Sequence, residues 1–310
     1  SMLATYRDHE WNKEDYRFRG ETYHTDFSDF NVTYQLPEEY TLVTTSPNDG
    51  YPTSNQGELE AKNVKMFFAA IVKDASVIEK EVGHTNIRVF GFGEEDELVQ
   101  EITDLAADAL MYFEDHMGPY PHNQLDIVLE GLGMEYPGIV TARSIYDSEP
   151  LEPELLKRTV VHEIVHQWFY GIISNDPYHD AWLDEGFTEF ATSLYYFSKE
   201  NREVPYDSLD ESLTPLEPLP VNLSLNEYES NQSAYIYGKA NVMLWKLFEN
   251  RGGIEEAERF IKSYYQHYQY KEIDSSEFMR FTKYYFDLKD FVKEVKFALY
   301  LFEPSLSQSL

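Results

Sequence analysis

The sequence predicts an α+β protein, with a β-rich first part and a mostly helical part that begins near residue 95. Three observations carry this reading. The 310 residues are 42% hydrophobic and 16% aromatic, the composition of a globular chain with a real core. Up to about residue 93 the apolar residues alternate within short β-branched stretches, and Pro, Asn, Asp and Gly separate those stretches. From Glu94 onward they recur at the three- and four-residue spacing of a helix face.

In chain order, Phe30-Asn-Val-Thr-Tyr-Gln-Leu36 and Tyr40-Thr-Leu-Val-Thr44 read as strands, with Pro37 and Ser46-Pro-Asn-Asp-Gly50 as breaks. Leu98, Ile102, Leu105, Ala109, Tyr112 and Phe113 then line one side of a helix, which Gly118-Pro119 ends. Leu125-Asp-Ile-Val-Leu129 reads as a strand. A helix is expected from Pro153, well suited to a first turn, to Phe169, and a second from Ala181 to Ser198. Residues 200–232 are rich in Pro, Ser, Asn and Glu and read as a long loop. Helical patterns return at Ser233 and run to the end. The expected organisation is thus a β part over 1–95 and a mostly helical part over 96–310, with no internal repeat.

The charge balance narrows the partners. Asp and Glu number 56 against 25 Lys and Arg, a net charge of −31. Such a surface repels nucleic acid and anionic membranes. The plain reading is a well-solvated surface; salt adaptation or a preference for cationic peptide ends are sharper ones. There is no cysteine, which excludes disulfides and thiolate chemistry without fixing a compartment. No apolar run reaches the roughly 18 residues of a membrane span, and no signal peptide is visible at the start. Ser1-Met2 leaves room for an upstream anchor or signal outside this sequence. The expectation is a soluble domain, cytoplasmic or the cell-surface part of a longer protein, of unassigned oligomeric state.

His162-Glu163-Ile164-Val165-His166 is the segment that carries chemistry. Histidines four apart on a helix share one face, about one turn apart, so both imidazoles reach one ion. Zinc accepts neutral imidazole nitrogens, and a glutamate beside the first histidine can point at the open coordination position and act as general base. With nine histidines in the chain, the pattern arises by chance in roughly a few per cent of such sequences. Its flanks argue against chance. Val160, Val161, Ile164, Val165, Trp168 and Phe169 make the helix apolar nearly all round, so it is expected to be buried, and buried His and Glu without a metal would be costly polar groups.

Zinc needs a third ligand. Glu185 in Trp182-Leu-Asp-Glu185-Gly-Phe187 follows His166 by 19 positions, on the next expected helix, and would complete a His₂Glu set with one position left open. A surface glutamate is the bland alternative, but Trp182, Leu183, Phe187 and Phe190 around it speak for burial. The remaining histidines show no ligand spacing and read as structural or surface residues.

These segments, with 18 residues between His166 and Glu185, resemble the membrane alanyl aminopeptidase (aminopeptidase N) family of gluzincin zinc metallopeptidases. Leu132-Gly-Met134-Glu135-Tyr136-Pro-Gly stands where that family carries its G-x-M-E-N exopeptidase motif. Tyr237-Gly-Lys239-Ala stands where it carries Y-x-K-G with a catalytic tyrosine. Tyr23-His-Thr-Asp26-Phe-Ser-Asp29-Phe and the strand after it resemble the end of the family's amino-terminal β domain. The resemblance implies a partial antiparallel β domain over 1–95 and a thermolysin-like zincin catalytic domain over 96–310, mostly helical with a small sheet. There are departures. Leu132 replaces a glycine and Tyr136 an asparagine, and the β domain is about half its usual length, without the part that contributes a second polar residue to the amine site. The chain reads as a catalytic core, excised or naturally short.

Carried over motif by motif, the resemblance implies one zinc per chain held by His162, His166 and Glu185, with Glu163 as the base that activates the attacking water. Glu135 would pair with the free ammonium of a peptide substrate, and the backbone of Leu132, Gly133 and Met134 would hold that peptide as an added strand. Tyr237 would donate to the oxyanion; its rival is Tyr235, and a core tyrosine is the plain alternative for either. Thr188 and Glu189, on the face of Glu185, are candidate partners of the zinc histidines, with an ordinary exposed helix face as the equal alternative. The implied activity is removal of the first residue from peptides with a free amino end. A thermolysin-type endopeptidase, with Glu135 merely structural, and a non-catalytic metal-stabilised binding domain stay open at this point.

Overall fold

The computed structural model describes residues 5–7, 9–12, 24–47, 50–93, 96–142, 152–228 and 230–289. Tyr23, Asn48, Asp49, Glu94 and the expected helical pattern beyond residue 289 lie outside the described residues. The chain divides into two compact units, a central one (25–115 and 119–171) and a terminal one (1–24, 116–118 and 172–310). The class is α+β. Nearly all strands precede residue 95 and nearly all helices follow it, while both compact units are drawn from both stretches. Among the described residues no helix is long and apolar enough to cross a membrane. In the terminal unit, β1 (Thr5–Arg7) and β2 (Glu10–Asn12) form a short antiparallel hairpin.

The central unit begins with two antiparallel pairs. β3 (Ser28–Gln35) pairs with β5 (Gln56–Val64), and β4 (Thr41–Thr44) with β6 (Ala69–Val72). Of these, β3 and β4 are the strands the two alternating stretches predict. A mixed sheet follows in the order β10-β9-β8-β7. In it β7 (Ser76–Val82) and β8 (Thr85–Gly91) make a hairpin, and β9 (Gln124–Val128) and β10 (Ile139–Thr141) add parallel strands. Parallel neighbours need a crossover, and helix α1 (Asp96–His116) supplies the one between β8 and β9. Its inner face is Val99, Ile102, Ala106, Ala109, Leu110 and Phe113; the expected Leu98 and Leu105 are only half-buried, so the stripe runs one residue further on at those turns. Every residue of β9 is buried, including Asp126. Arg88 on β8 holds that carboxylate by two 2.6 Å bonds and Gln124 Nε2 adds a third at 3.0 Å.

Helix α2 (Pro153–Val165) opens on Pro153 as expected but stops short of Phe169. The chain tightens after Val165. The amides of Gln167 and Trp168 reach back only three residues, to Ile164 and Val165. Tyr170 then takes a left-handed conformation (φ 90°), and the Gly171 amide returns to the His166 carbonyl. That is a helix C-terminus satisfying its last carbonyls, and an apolar sequence gives no sign of it.

In the terminal unit the expected second helix is divided. A 3₁₀ turn spans Ala181–Leu183, and α3 runs Glu185–Lys199 with the Asp184 side chain accepting from the Glu185 amide at 2.8 Å. The presumed loop 200–232 contains α4 (Tyr206–Leu213), whose half-buried Tyr206, Leu209 and Leu213 form a thin apolar stripe. A π-helical turn (Ala234–Lys239) leads into α5 (Ala240–Lys246). Lys246 there bonds Asp210 of α4 at 2.5 Å. Helices α6 (Gly253–Tyr268) and α7 (Ser275–Tyr285) complete the unit, which is packed with rings: Phe187, Phe260, Tyr264 and Phe278 lie within contact of one another.

Asp180, ahead of the 3₁₀ turn, accepts hydrogen bonds from the amide and hydroxyl of Ser275, whose Oγ accepts Trp182 Nε1–H at 2.9 Å. Burial raises the Asp180 carboxyl to about 6, with Asp274 and Asp176 nearby acting in the same direction and the Ser275 bonds opposing. A carboxyl raised in this way favours the fold in its protonated form. Its contribution is full below the ordinary carboxylate range and is lost as pH rises through about 6. Asp180→Asn keeps the acceptor oxygen and removes the charge. It should stabilise the fold by about 1–2 kcal/mol near neutral pH, with the gain fading towards pH ~4. Thermal unfolding of both proteins across that range checks this; a gain independent of pH contradicts it.

Candidate metal centre

In the central unit α2 is walled by Val160, Val161, Ile164 and Val165, none of them exposed. Its two histidines are one turn apart, and His166, although the cap residue, keeps helical angles (φ −59°, ψ −18°), so the pairing survives the early helix end. His166 Nδ1 lies 3.2 Å from the Phe169 carbonyl oxygen. A carbonyl only accepts, so Nδ1 carries the proton and Nε2 presents its lone pair. That Nε2 faces His162 Nε2 at 3.2 Å. Two zinc–nitrogen bonds of about 2.0–2.1 Å at the tetrahedral angle place their nitrogens roughly 3.3–3.4 Å apart. The donor pair therefore fits the ion, and the shortened helix is what turns the Phe169 carbonyl back to fix the ring.

Glu163 and Glu135 are both buried, and each brings a carboxylate oxygen within 4.8 Å of the other's and of a His166 nitrogen. Glu135 lies outside any strand. Met134 before it makes an isolated bridge with Thr141, and a turn begins after it at Tyr136. The backbone just upstream passes close to the base: a Cβ on Gly133 would stand 2.6 Å from Glu163 Oε1. The Thr141 hydroxyl donates to the Leu132 carbonyl, while the Leu132 side chain is exposed. Two carboxylates confined in this way repel, and a cation between them removes the cost.

In the terminal unit Glu185 is the first residue of α3. The Tyr237 hydroxyl donates to Glu185 Oε1 at 2.5 Å. The two candidate tyrosines lie on different faces of the π-helical turn: Tyr235 is buried and stacked on Tyr228, ring centroids 5.1 Å apart, whereas Tyr237 is only half-buried and faces Glu185. Thr188 is buried and Glu189 half-buried on the same helix. The sequence reading passed over Gln167, a fully polar side chain inside the apolar run, and the wide turn at Ala234. The first has a signal, an amide where burial is expected; the second has none in the spacing.

Residues 102–296 match the family model described as the peptidase family M1 domain, well over half of the chain. The chain belongs to peptidase family M1. Among curated relatives of this M1 chain, the alanine/arginine aminopeptidase of Saccharomyces cerevisiae is 28% identical over 264 residues, 76% of this chain and 28% of that protein. Leukotriene A-4 hydrolase of Xenopus laevis is 25% identical over 213 residues, 64% and 35%. The chain thus spans a third or so of these relatives' lengths. The solved M1 zinc metallopeptidase of Deinococcus radiodurans shares the fold, with a TM-score of 0.67 at 17% identity over 92% of this chain and 67% of that one.

Zinc should raise the melting temperature of the M1 chain, because an ion that binds only the folded state stabilises it. His166→Ala removes one of the two facing nitrogens. It should weaken zinc by more than about 100-fold, beyond the loss seen when only an outer partner of a ligand is removed. Competition with a chromophoric chelator measures this. Undiminished affinity would take His166 out of the centre.

Proposed function

We propose that this chain is the catalytic core of a zinc aminopeptidase, acting on the first peptide bond of peptides with a free amino end. One zinc per chain is held by His162, His166 and Glu185. The observation that carries the reading is the buried pair of carboxylates, Glu135 and Glu163, gathered against His166. One of them is adjacent to a zinc-binding histidine in sequence and the other stands in the exopeptidase motif. The order of motifs within an M1 chain supports Glu185 as third ligand. The strands before residue 95 and a family match that begins at residue 102 support residues 1–95 as a partial β domain ahead of a 96–310 catalytic domain.

When bound, zinc supplies Lewis acidity, polarising the scissile carbonyl and acidifying water. The chain's own groups do the rest. Glu135 receives the substrate ammonium, a charge found only at a chain end, which makes a peptidase into an exopeptidase. The backbone of Leu132, Gly133 and Met134 lies along the peptide as an added strand. Glu163 takes a proton from the attacking water and returns it to the leaving nitrogen as the C–N bond breaks. The products are a free amino acid and a peptide one residue shorter. The Tyr237 hydroxyl, poised on Glu185, donates to the oxygen on which charge develops. The strongly acidic surface favours approach of a cationic amino end.

Amino-acid anilides should be cleaved and acetyl-capped peptides spared; equal rates on a matched free and acetylated pair would transfer the reading to an endopeptidase. Glu163→Gln should keep its zinc yet lose about 10²–10⁴-fold or more in turnover, because an amide cannot take the proton. Near-normal turnover by that zinc-loaded variant removes Glu163 from the chemistry.

Tyr237→Phe should lower kcat by about 10²–10³-fold with little change in KM, the loss of one oxyanion donor. Tyr235→Phe should leave kcat nearly unchanged. The reverse result would shift the tyrosine assignment by two residues.

A further inference from the structure

Gln167 directly follows His166, and its side chain is almost wholly buried, at 2% exposure. Its amide makes two hydrogen bonds, both to the backbone beyond Glu135. Oε1 accepts from the Gly138 amide at 2.9 Å, and Nε2 donates to the Tyr136 carbonyl at 3.1 Å. A planar amide presents donor and acceptor together, so it reads a carbonyl and an N–H two residues apart as a neighbouring strand would. A carboxylate or a thioether of the same reach cannot do both.

The turn it grips is formed by other means. Ile139 donates to the Tyr136 carbonyl at 3.0 Å. Pro137 and Gly138 hold the turn's central positions, the glycine at φ +73°, where a side chain would be strained. The Gly138 carbonyl accepts from Asp126 of β9 at 2.9 Å, and the Tyr136 ring stacks on Phe68 with centroids 3.8 Å apart. On the other side of Glu135, Met134 is tied to Thr141 through both backbone groups. The residues flanking Glu135 are therefore fixed to the sheet and to Phe68. What Gln167 adds is a direct tie from this turn to the end of the helix that carries His162, Glu163 and His166.

We propose that Gln167 is the positioning residue that sets the spacing between Glu135 and the histidine pair, and so determines that the first peptide bond is the one cleaved. This rests on the reading of Glu135 as the amino-end anchor. One extended residue advances a peptide by only about 3.3 Å, so the anchor must be held to a fraction of that length. A misplacement of about 1 Å costs on the order of 100-fold in rate. Gln167 never touches the substrate; it acts through Glu135.

Two replacements test this. Gln167→Met keeps the shape and loses both bonds, and Gln167→Glu keeps the acceptor for the Gly138 amide and loses the donor. kcat/KM on leucine anilide is measured for each, alone and combined with Glu135→Gln, alongside zinc affinity and melting temperature. Alone, Gln167→Met should lower kcat/KM about 10–100-fold, and Gln167→Glu less, with zinc affinity unchanged. In the Glu135→Gln background Gln167→Met should cost less than about twofold, since the anchor it positions is already gone. A loss of the same size in both backgrounds makes Gln167 an ordinary structural residue and overturns the inference alone. Loss of zinc in Gln167→Met, with the anchor effect of Glu135→Gln intact, also overturns it, because the residue would then act on His166. A Glu135→Gln variant as active as the parent overturns the anchor reading itself, and the inference with it.

Discussion

Everything at the end of α2 follows from the cost of carrying polar groups into an apolar interior. Glu163, His166 and Gln167 are each at most 5% exposed, beside a wall of Val and Ile. A buried donor or acceptor left without a partner costs about 1–3 kcal/mol, and a charge costs more. The fold meets this with backbone. The Phe169 carbonyl takes the His166 ring proton, and the Tyr136 and Gly138 backbone takes the Gln167 amide. His166 Nε2 and His162 Nε2 face one another at 3.2 Å, close to the spacing of two nitrogens on one metal ion. The early helix end and the turn after Glu135 are thus answers to one constraint.

The parts legible in the sequence are those governed by periodicity. The histidines at i and i+4 needed only the helix repeat, and α1 showed part of its buried stripe in advance, at Ile102, Ala109, Tyr112 and Phe113. The strands over Phe30–Leu36 and Tyr40–Thr44 came within two residues of their observed limits. What was not legible depends on contacts distant in sequence or on local backbone choices that composition does not mark. Val165 to Phe169 is as apolar as the helix before it, so nothing announced that the chain would tighten there and that Tyr170, not a glycine, would adopt positive φ. Helix α4 hid in a Pro- and Ser-rich stretch because its apolar stripe is only three residues wide and its bond to Lys246 comes from a residue distant in sequence. The π-helical turn that carries Tyr235 and Tyr237 left no trace in the spacing.

Substitutions at motif positions have a physical reading. Tyr136, where the family pattern has asparagine, finds a stacking partner in Phe68, so the turn after Glu135 is anchored by a ring face. Leu132 leaves its side chain in solvent and uses its carbonyl, which accepts from Thr141. Gly133 sits where a Cβ would collide with Glu163; here the backbone must run close to a carboxylate. What these positions share is a chain path that brings the buried Glu135 beside Glu163 and His166.

The buried Arg88–Asp126 pair has a consequence for how the central sheet assembles. The two residues stand opposite one another in the parallel β8–β9 ladder, and the whole of α1 separates the strands in sequence. Hydrophobic alternation would tolerate a slip of two residues along this ladder, since the same faces would stay inward. The ion pair would not. A slipped ladder strands a guanidinium and a carboxylate in an apolar layer, a penalty of about 3–5 kcal/mol. The pair thereby acts as an index mark: whatever order the strands meet in, only one alignment of β8 against β9 survives, and with it the placement of β10 and the Glu135 turn that hangs between β9 and β10.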